Sequence, residues 1–244
     1  MSTIYALLVG INDYLGGVNG LRGCVNDVKR MNEFLQLRTQ GGEFEFKPLV
    51  LTSGDRNHPD EIKPTRQAVI DGFRNHLCQA SPGDIAIFYY SGHGSQQNSP
   101  PELWHLEPDR LDETIVCYDS RTEGQWDLAD KELGLLIAEV SRKKPHILVV
   151  LDSCHSGSGT RAPGQPGVRL TNSDKRERPL HTFEGYAQIK ASQPDKQAAS
   201  DWLVLPHGKH VVLAACRPEE VAAERFLGDN VHGLLSYYLL DTLQ

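Results

Sequence analysis

The sequence predicts an α/β protein built on a mostly parallel sheet. Two observations carry that prediction. Short apolar runs of strand length recur along the 244 residues, and segments with apolar side chains at helical spacing separate them. The length suits one large α/β domain or two small ones.

The elements follow in order. "IYALLVGI" (4–11) reads as a buried strand, and after Asn26-Asp27 the residues Val28, Met31, Phe34 and Leu35 fall at helical spacing. "FKPLVL" (46–51) is a second strand, which Pro48 assigns to an edge or irregular position. Thr65 precedes a helix carrying Val69, Ile70, Phe73 and Leu77. "DIAIFYYSGHG" (84–94) is a third strand ending in glycine. Leu133, Leu136, Ile137 and Val140 mark another helix, and "HILVVLD" (146–152) a fourth strand. Residues 157–197 are rich in Pro, Gly, Ser and charge, and read as a long exposed loop. "HVVLAAC" (210–216) is a fifth strand. Val231, Leu234, Leu235, Tyr238, Leu239 and Leu243 line one face of a closing helix, which reaches Gln244 without a cap or breaker. There are no internal repeats.

A net charge of −7 argues against nucleic acid or an anionic membrane as the main partner and favours cationic ligands. No apolar run approaches the ~18 residues of a membrane span. The N-terminal segment reads as a strand and not as a signal peptide. Five cysteines, odd in number and without CxxC pairs, predict neither a disulfide framework nor a zinc site, and point to a reducing, cytoplasmic setting.

In an open parallel sheet, ligands bind beyond the carboxyl ends of the strands. Two strands deliver reactive groups there: "YYSGHG" presents His93 and "LDSCHSG" presents Cys154. Residues i and i+2 of a strand share a side, so Ser91 accompanies His93 and Asp152 accompanies Cys154. A thiol near an imidazole is the arrangement of nucleophilic acyl transfer. Gly92 and Gly94 permit close backbone approach, and the Gly94 N–H suits a developing oxyanion. His155 points the opposite way in extended backbone and reads as structural. Cys78, Cys117 and Cys216 read as packed small hydrophobes. Asp27 could serve as a helix cap, a role Asn26 could fill equally well. The acidic groups of 112–119 read as a solvated loop.

"YYSGHG" followed about sixty residues later by "LDSCHSG" resembles the metacaspase branch of the caspase-like cysteine peptidases, the bacterial members called orthocaspases most of all. "LRGCVNDVKRM" (21–31) and "LDETIVCYD" (111–119) match further family segments, so the resemblance runs from Ile4 to Gly157 and more loosely to the final helix. It implies a caspase-like three-layer α/β/α sandwich and peptide hydrolysis without a cofactor. Cys154 is then the nucleophile, His93 the general acid/base, and Gly94 an oxyanion donor. A pocket for basic residues maps onto Cys24, Asp27, Ser91 and Asp152, with Arg preferred over Lys. The substrates implied are peptides or proteins with Arg or Lys at the cleaved position, and the expected state is a monomer.

One domain is expected over 1–244. Residues 1–160 form a large-subunit-like part with the dyad, 161–200 a mobile processing loop, and 201–244 a small-subunit-like part. The loop offers Arg161, Arg169, Lys175, Arg176 and Arg178; self-cleavage is expected after an arginine such as Arg161, Arg169 or Arg176, and Pro179 disfavours Arg178. Calcium-dependent metacaspases carry an acidic pair that aligns with Asp130 and Lys131. A lysine there removes an oxygen ligand, so no metal is expected. The competing readings are a silent caspase-like interaction module, which the retained Cys and His disfavour, and a gingipain- or clostripain-type peptidase, which "LRGCVNDVKRM" disfavours.

Overall fold

Residues 4 to 11 of the first strand are buried on both faces, as a central strand of a parallel sheet requires. The computed structural model describes residues 1–55, 61–154, 166–191, 210–217 and 220–243. Their order is β1 (Ser2–Ile11), α1 (Cys24–Thr39), β2 (Phe44–Ser53), α2 (Arg66–Asn75), β3 (Ile85–Ser91), β4 (Gly94–Asn98), β5 (Leu111–Ile115), β6 (Leu128–Ala129), α3 (Asp130–Ser141), β7 (His146–Asp152), α4 (Tyr186–Ala191), β8 (His210–Ala214), β9 (Glu224–Leu227), β10 (Asn230–Gly233) and α5 (Leu234–Leu243).

Five strands form one sheet in the order β2-β1-β3-β7-β8, every pairing parallel. Pro48 lies on β2, an edge strand, where its missing N–H costs no ladder bond. Alternate β1 side chains enter opposite layers. Leu7, Val9 and Ile11 pack with Val69, Ile70 and Phe73 of α2 and with Leu133, Leu136 and Ile137 of α3. Ala6 and Leu8 pack with Val28, Met31 and Leu35 of α1 and with Leu240 of α5. The result is the expected three-layer sandwich. Among the described residues, no helix is long and apolar enough to cross a membrane.

Four local expectations are corrected. The third strand stops at Ser91, and Gly94 opens β4, which joins β5 and β6 in a small antiparallel sheet. Asp112 lies in β5 and is fully buried, not in a solvated loop. Val231 belongs to β10, because Gly228 takes a positive φ of 59° and turns the chain into a β9–β10 hairpin before α5 begins. Residues 166–191 of the expected mobile loop are folded. Backbone bridges tie Leu170 to Gly94, Asp174 to Gln97 and Val168 to Ala223, and α4 packs Ile189 against Leu103 and Leu106.

Candidate active site

Register places the site. Ser91 on β3 pairs with Asp152 on β7, and Gly10 on β1 pairs with Ser91. The polar ends of three neighbouring strands therefore come level at the carboxyl edge of the sheet. Just beyond them stand His93, Cys154 and the first turn of α1, which carries Cys24 and Asp27.

Arg169 fills the space between these groups, and it is fully buried. Its Nη2 donates to Asp27 Oδ2 at 2.7 Å. Its Nη1 donates to Ser91 Oγ at 2.8 Å and to the Asp152 carbonyl at 3.0 Å, and lies 3.1 Å from Asp152 Oδ1. Cys24 lines the same pocket, where burial pushes its thiol up to about 12. All four residues expected to form the basic-residue pocket are thus gathered around one guanidinium. Asp27 is not the cap of α1, whose N-cap position is Gly23. Its carboxylate faces inward and also accepts from Ser91 Oγ and from the Gly233 N–H, with His232 Nδ1 at 2.9 Å.

The backbone of the same residue meets the dyad. The Arg169 carbonyl accepts the Gly94 N–H at 3.0 Å and the Cys154 N–H at 3.2 Å, the geometry of an oxyanion cradle. A Cβ on residue 94 would lie 1.6 Å from the Cys154 carbonyl oxygen, so only glycine permits this approach. Flanking hydrogen bonds hold the segment extended. The Arg169 N–H donates to the Ala222 carbonyl, and the Thr171 N–H donates to the Gly94 carbonyl.

His93 is held from two sides. Its N–H donates to Tyr14 Oη at 2.8 Å, and its Nε2 lies 2.9 Å from the Asn19 carbonyl. A carbonyl can only accept, so Nε2 carries the proton and Nδ1 is the free base. That Nδ1 is buried without a hydrogen-bond partner. Burial lowers the His93 pKa to about 4. The Cys154 thiol is raised by its contact with Cys216 and by burial, and Sγ accepts the Ala222 N–H at 3.1 Å. Both His93 and Cys154 stand beyond strand ends, where a parallel sheet is open to ligands. Here the 166–174 segment lies over them, and His93 and Cys154 are 1% and 0% exposed.

The other candidate arginines sit elsewhere. Arg176 pairs with Asp174 and donates to the Ser120, Thr122 and Gln125 carbonyls. Arg178 is buried against Glu132. Arg161 and His155 lie outside the described residues. Beside His93, a groove of about 640 Å³ bordered by Arg22, Val168, Phe226 and Val231 continues on the N-terminal side of Arg169.

Sequence reasoning missed the pocket's C-terminal wall. Ser236 donates through N and Oγ to Asp152 Oδ2 at 2.9 and 2.5 Å. Gly233 leaves room for the guanidinium, since a Cβ there would lie 2.4 Å from Arg169 Nη1. The one available signal was the His232-Gly233 pair interrupting the assigned helix.

The carboxylates Glu107, Asp112 and Asp130 come close enough to hold a metal ion. Lys131 Nζ already stands among them, at 2.6, 2.5 and 3.4 Å, and is buried. The residues present do not fit a calcium ion, because a fixed ammonium occupies the ligand position. Burial raises Glu107 to about 8 and Asp130 to about 6. The lysine ammonium is held above its usual range by the three carboxylates, against the effect of burial.

A family model described as metacaspase, peptidase C14 domain, matches residues 5–163. Metacaspase-1A of Aspergillus fumigatus is 35% identical over 158 residues, 65% of this chain and 36% of that protein. Metacaspase-1B of Aspergillus terreus is 32% identical over 260 residues, 98% of this chain and 66% of that protein. The chain therefore covers about a third of the first relative's length and about two thirds of the second's. The crystal structure of a Geobacter sulfurreducens protein superposes with a TM-score of 0.62 over 99% of this chain and 82% of that one, at 20% identity; it bears on the fold alone.

Proposed function

Because the chain belongs to the metacaspase, peptidase C14 family, we propose that it is a cysteine endopeptidase that cuts after basic residues, Arg before Lys, and that its first substrate is its own Arg169–Leu170 bond. The observation that carries this reading is the placement of Arg169. Its guanidinium is among the expected pocket residues, and its carbonyl is between the Gly94 and Cys154 N–H groups.

The chemistry follows from those positions. His93 Nδ1 takes the Cys154 thiol proton, and Sγ attacks the Arg169 carbonyl carbon. The charge that develops on the oxygen stays between the two N–H groups already in place. Protonated His93 then gives its proton to the leaving Leu170 nitrogen, and water resolves the thioester. Until that cut the pocket is filled, so the intact chain is a restrained enzyme. Afterwards the two pieces stay joined by β7–β8 pairing and by the Ser236–Asp152 hydrogen bonds.

A planar, permanently charged fork with two nitrogens suits a pocket with acceptors on two sides. A lysine ammonium reaches fewer of them, and an aspartate would add a like charge. Lys131 supports calcium-independent action. Incubation of purified protein with matched Arg, Lys and Asp fluorogenic peptides tests the reading, with mass spectrometry of the protein itself. Turnover of Arg peptides and an N-terminal piece ending at Arg169 are expected. Turnover of the Asp peptide alone, or of none, would overturn it.

A further inference from the structure

We infer that Glu224 is a specificity-determining residue, a third carboxylate that reads the guanidinium of a bound arginine and separates it from lysine. The inference rests on the peptidase reading above and names a group that the resemblance did not supply.

The two expected carboxylates are heavily shared with the protein itself. Asp27 accepts from Ser91, Gly233 and Arg169, with His232 against it. Asp152 Oδ2 is taken by both donors of Ser236. Such hydrogen bonds spread the carboxylate charge and reduce what is left for a ligand. Glu224 adds a third carboxylate, one hydrogen-bonded among the described residues by backbone N–H groups alone. It is 5% exposed, and its Oε2 lies 3.6 Å from Arg169 Nη2. That is longer than a hydrogen bond but well within the range of a strong Coulomb interaction at a buried site.

Its direction matters more than its charge. Ser91 and Asp152 meet Nη1, whereas Asp27 and Glu224 meet Nη2. The two ends of the fork are read by separate groups. A lysine ammonium is a single point and cannot stand at both ends at once. Glu224 itself cannot drift away. Oε1 accepts the Arg22 N–H at 3.0 Å and Oε2 the Gly23 N–H at 2.9 Å, which fastens it to the turn that opens α1. Glu224 also lies C-terminal to the proposed cut, whereas Cys24, Asp27, Ser91 and Asp152 all lie N-terminal to it. The specificity pocket is thus assembled from both pieces.

A double-mutant cycle tests this without relying on turnover. In full-length protein carrying Cys154→Ala, the melting temperature is measured for Glu224→Gln, Arg169→Lys, both and neither. Loss of the Arg22 and Gly23 hydrogen bonds is common to both arms and cancels. The expected result is that Glu224→Gln lowers the melting temperature clearly when residue 169 is Arg and much less in the Arg169→Lys background. Equal losses in the two backgrounds would overturn the proposal. In the self-cleaved enzyme, Glu224→Gln is expected to raise KM for an Arg peptide about tenfold with kcat little changed, and to shift the matched Lys peptide less than about threefold. Proportional losses on both peptides, or a loss confined to kcat, would count against it. A wild type silent on all basic peptides would sink the peptidase reading, while the coupling between Glu224 and Arg169 measured by the cycle would stand.

Discussion

Asp27 Oδ2 and Arg169 Nη2 lie 2.7 Å apart, both fully buried, although 142 residues separate them in the chain. A charged pair so enclosed is held by excellent geometry, and removing one partner leaves the other uncompensated. In the self-cleaved enzyme, Asp27→Ala is therefore expected to reduce kcat/KM on Arg peptides at least ~30-fold, since a buried charged hydrogen bond is worth on the order of 2–5 kcal/mol and each ~1.4 kcal/mol is a factor of ten. Steady-state kinetics decide it; unchanged efficiency would return Asp27 to a purely structural role.

The cut itself is expected at one bond. Wild-type protein yields pieces ending at Arg169 and starting at Leu170, and Arg169→Ala does not cut there. Arg176 and Arg178 are committed to internal acceptors, so they are not expected to substitute. Intact-mass measurement of a time course reads this directly. Fragments ending at Arg176 would show that the segment rearranges before cleavage.

Cys154→Ala and His93→Ala are each expected to remain single, folded chains without peptidase activity. Asn19 contributes only its carbonyl, so its substitution should matter less than that of His93. Circular dichroism confirms the fold, and a fluorogenic peptide the loss. Residual turnover by Cys154→Ala would remove the thiol from the mechanism.

Acid weakens the uncut chain in a defined window. Burial lowers His93 to about 4, against ~6.5 for a free histidine. Between those values the unfolded chain binds a proton that the folded chain refuses, so stability falls as pH drops through that range. The loss approaches about 3 kcal/mol at pH 4 and vanishes above pH 7. Melting of the Cys154→Ala protein at pH 7 and pH 5 should show a drop that Cys154→Ala/His93→Ala lacks. An equal drop in both would place the titration elsewhere.

Chelation should leave activity unchanged. Lys131→Ala, by contrast, leaves three buried carboxylates without their counter-charge. It is expected to cost on the order of 3–5 kcal/mol, the usual result of breaking a buried pair. Activity assays in EGTA and a melting curve of Lys131→Ala check the two halves. Loss of wild-type activity in EGTA, restored by calcium, would overturn the assignment.

The strands were legible, and His93 and Cys154 could be placed at one sheet edge, because short apolar runs and their polar ends are local signals. Pro48 marked its edge strand, whereas the register that sets Ser91 beside Asp152 is a relation between two strands and has no local signal. The rest depends on contacts between distant segments. Nothing local distinguishes Arg169 from Arg176 or Arg178 in a loop of charges; only threading between β4 and Ala222 singles it out. Asp112 looked solvated because its partner, Lys131, lies on another element. Gly233 was hidden because β10 was read as the start of the closing helix, and Glu224 because its partner Arg169 lies on a distant segment.

The occupant of the pocket is covalently part of the chain, which fixes the molecularity of the first event. A tethered group competes at an effective concentration in the millimolar range, regardless of how dilute the protein is. If the proposed self-cleavage holds, foreign peptides at ordinary concentrations are expected to lose to it, and the intact protein to act as a clock before it acts as an enzyme. On the proposed reading its half-life to cleavage is expected to be the same at nanomolar and micromolar concentration, as for any first-order event within one chain. After the cut, Arg169 is still leashed to Cys154 through the residues between them. The proposed cut would separate it from Leu170 and Thr171, the residues that bridge to Gly94.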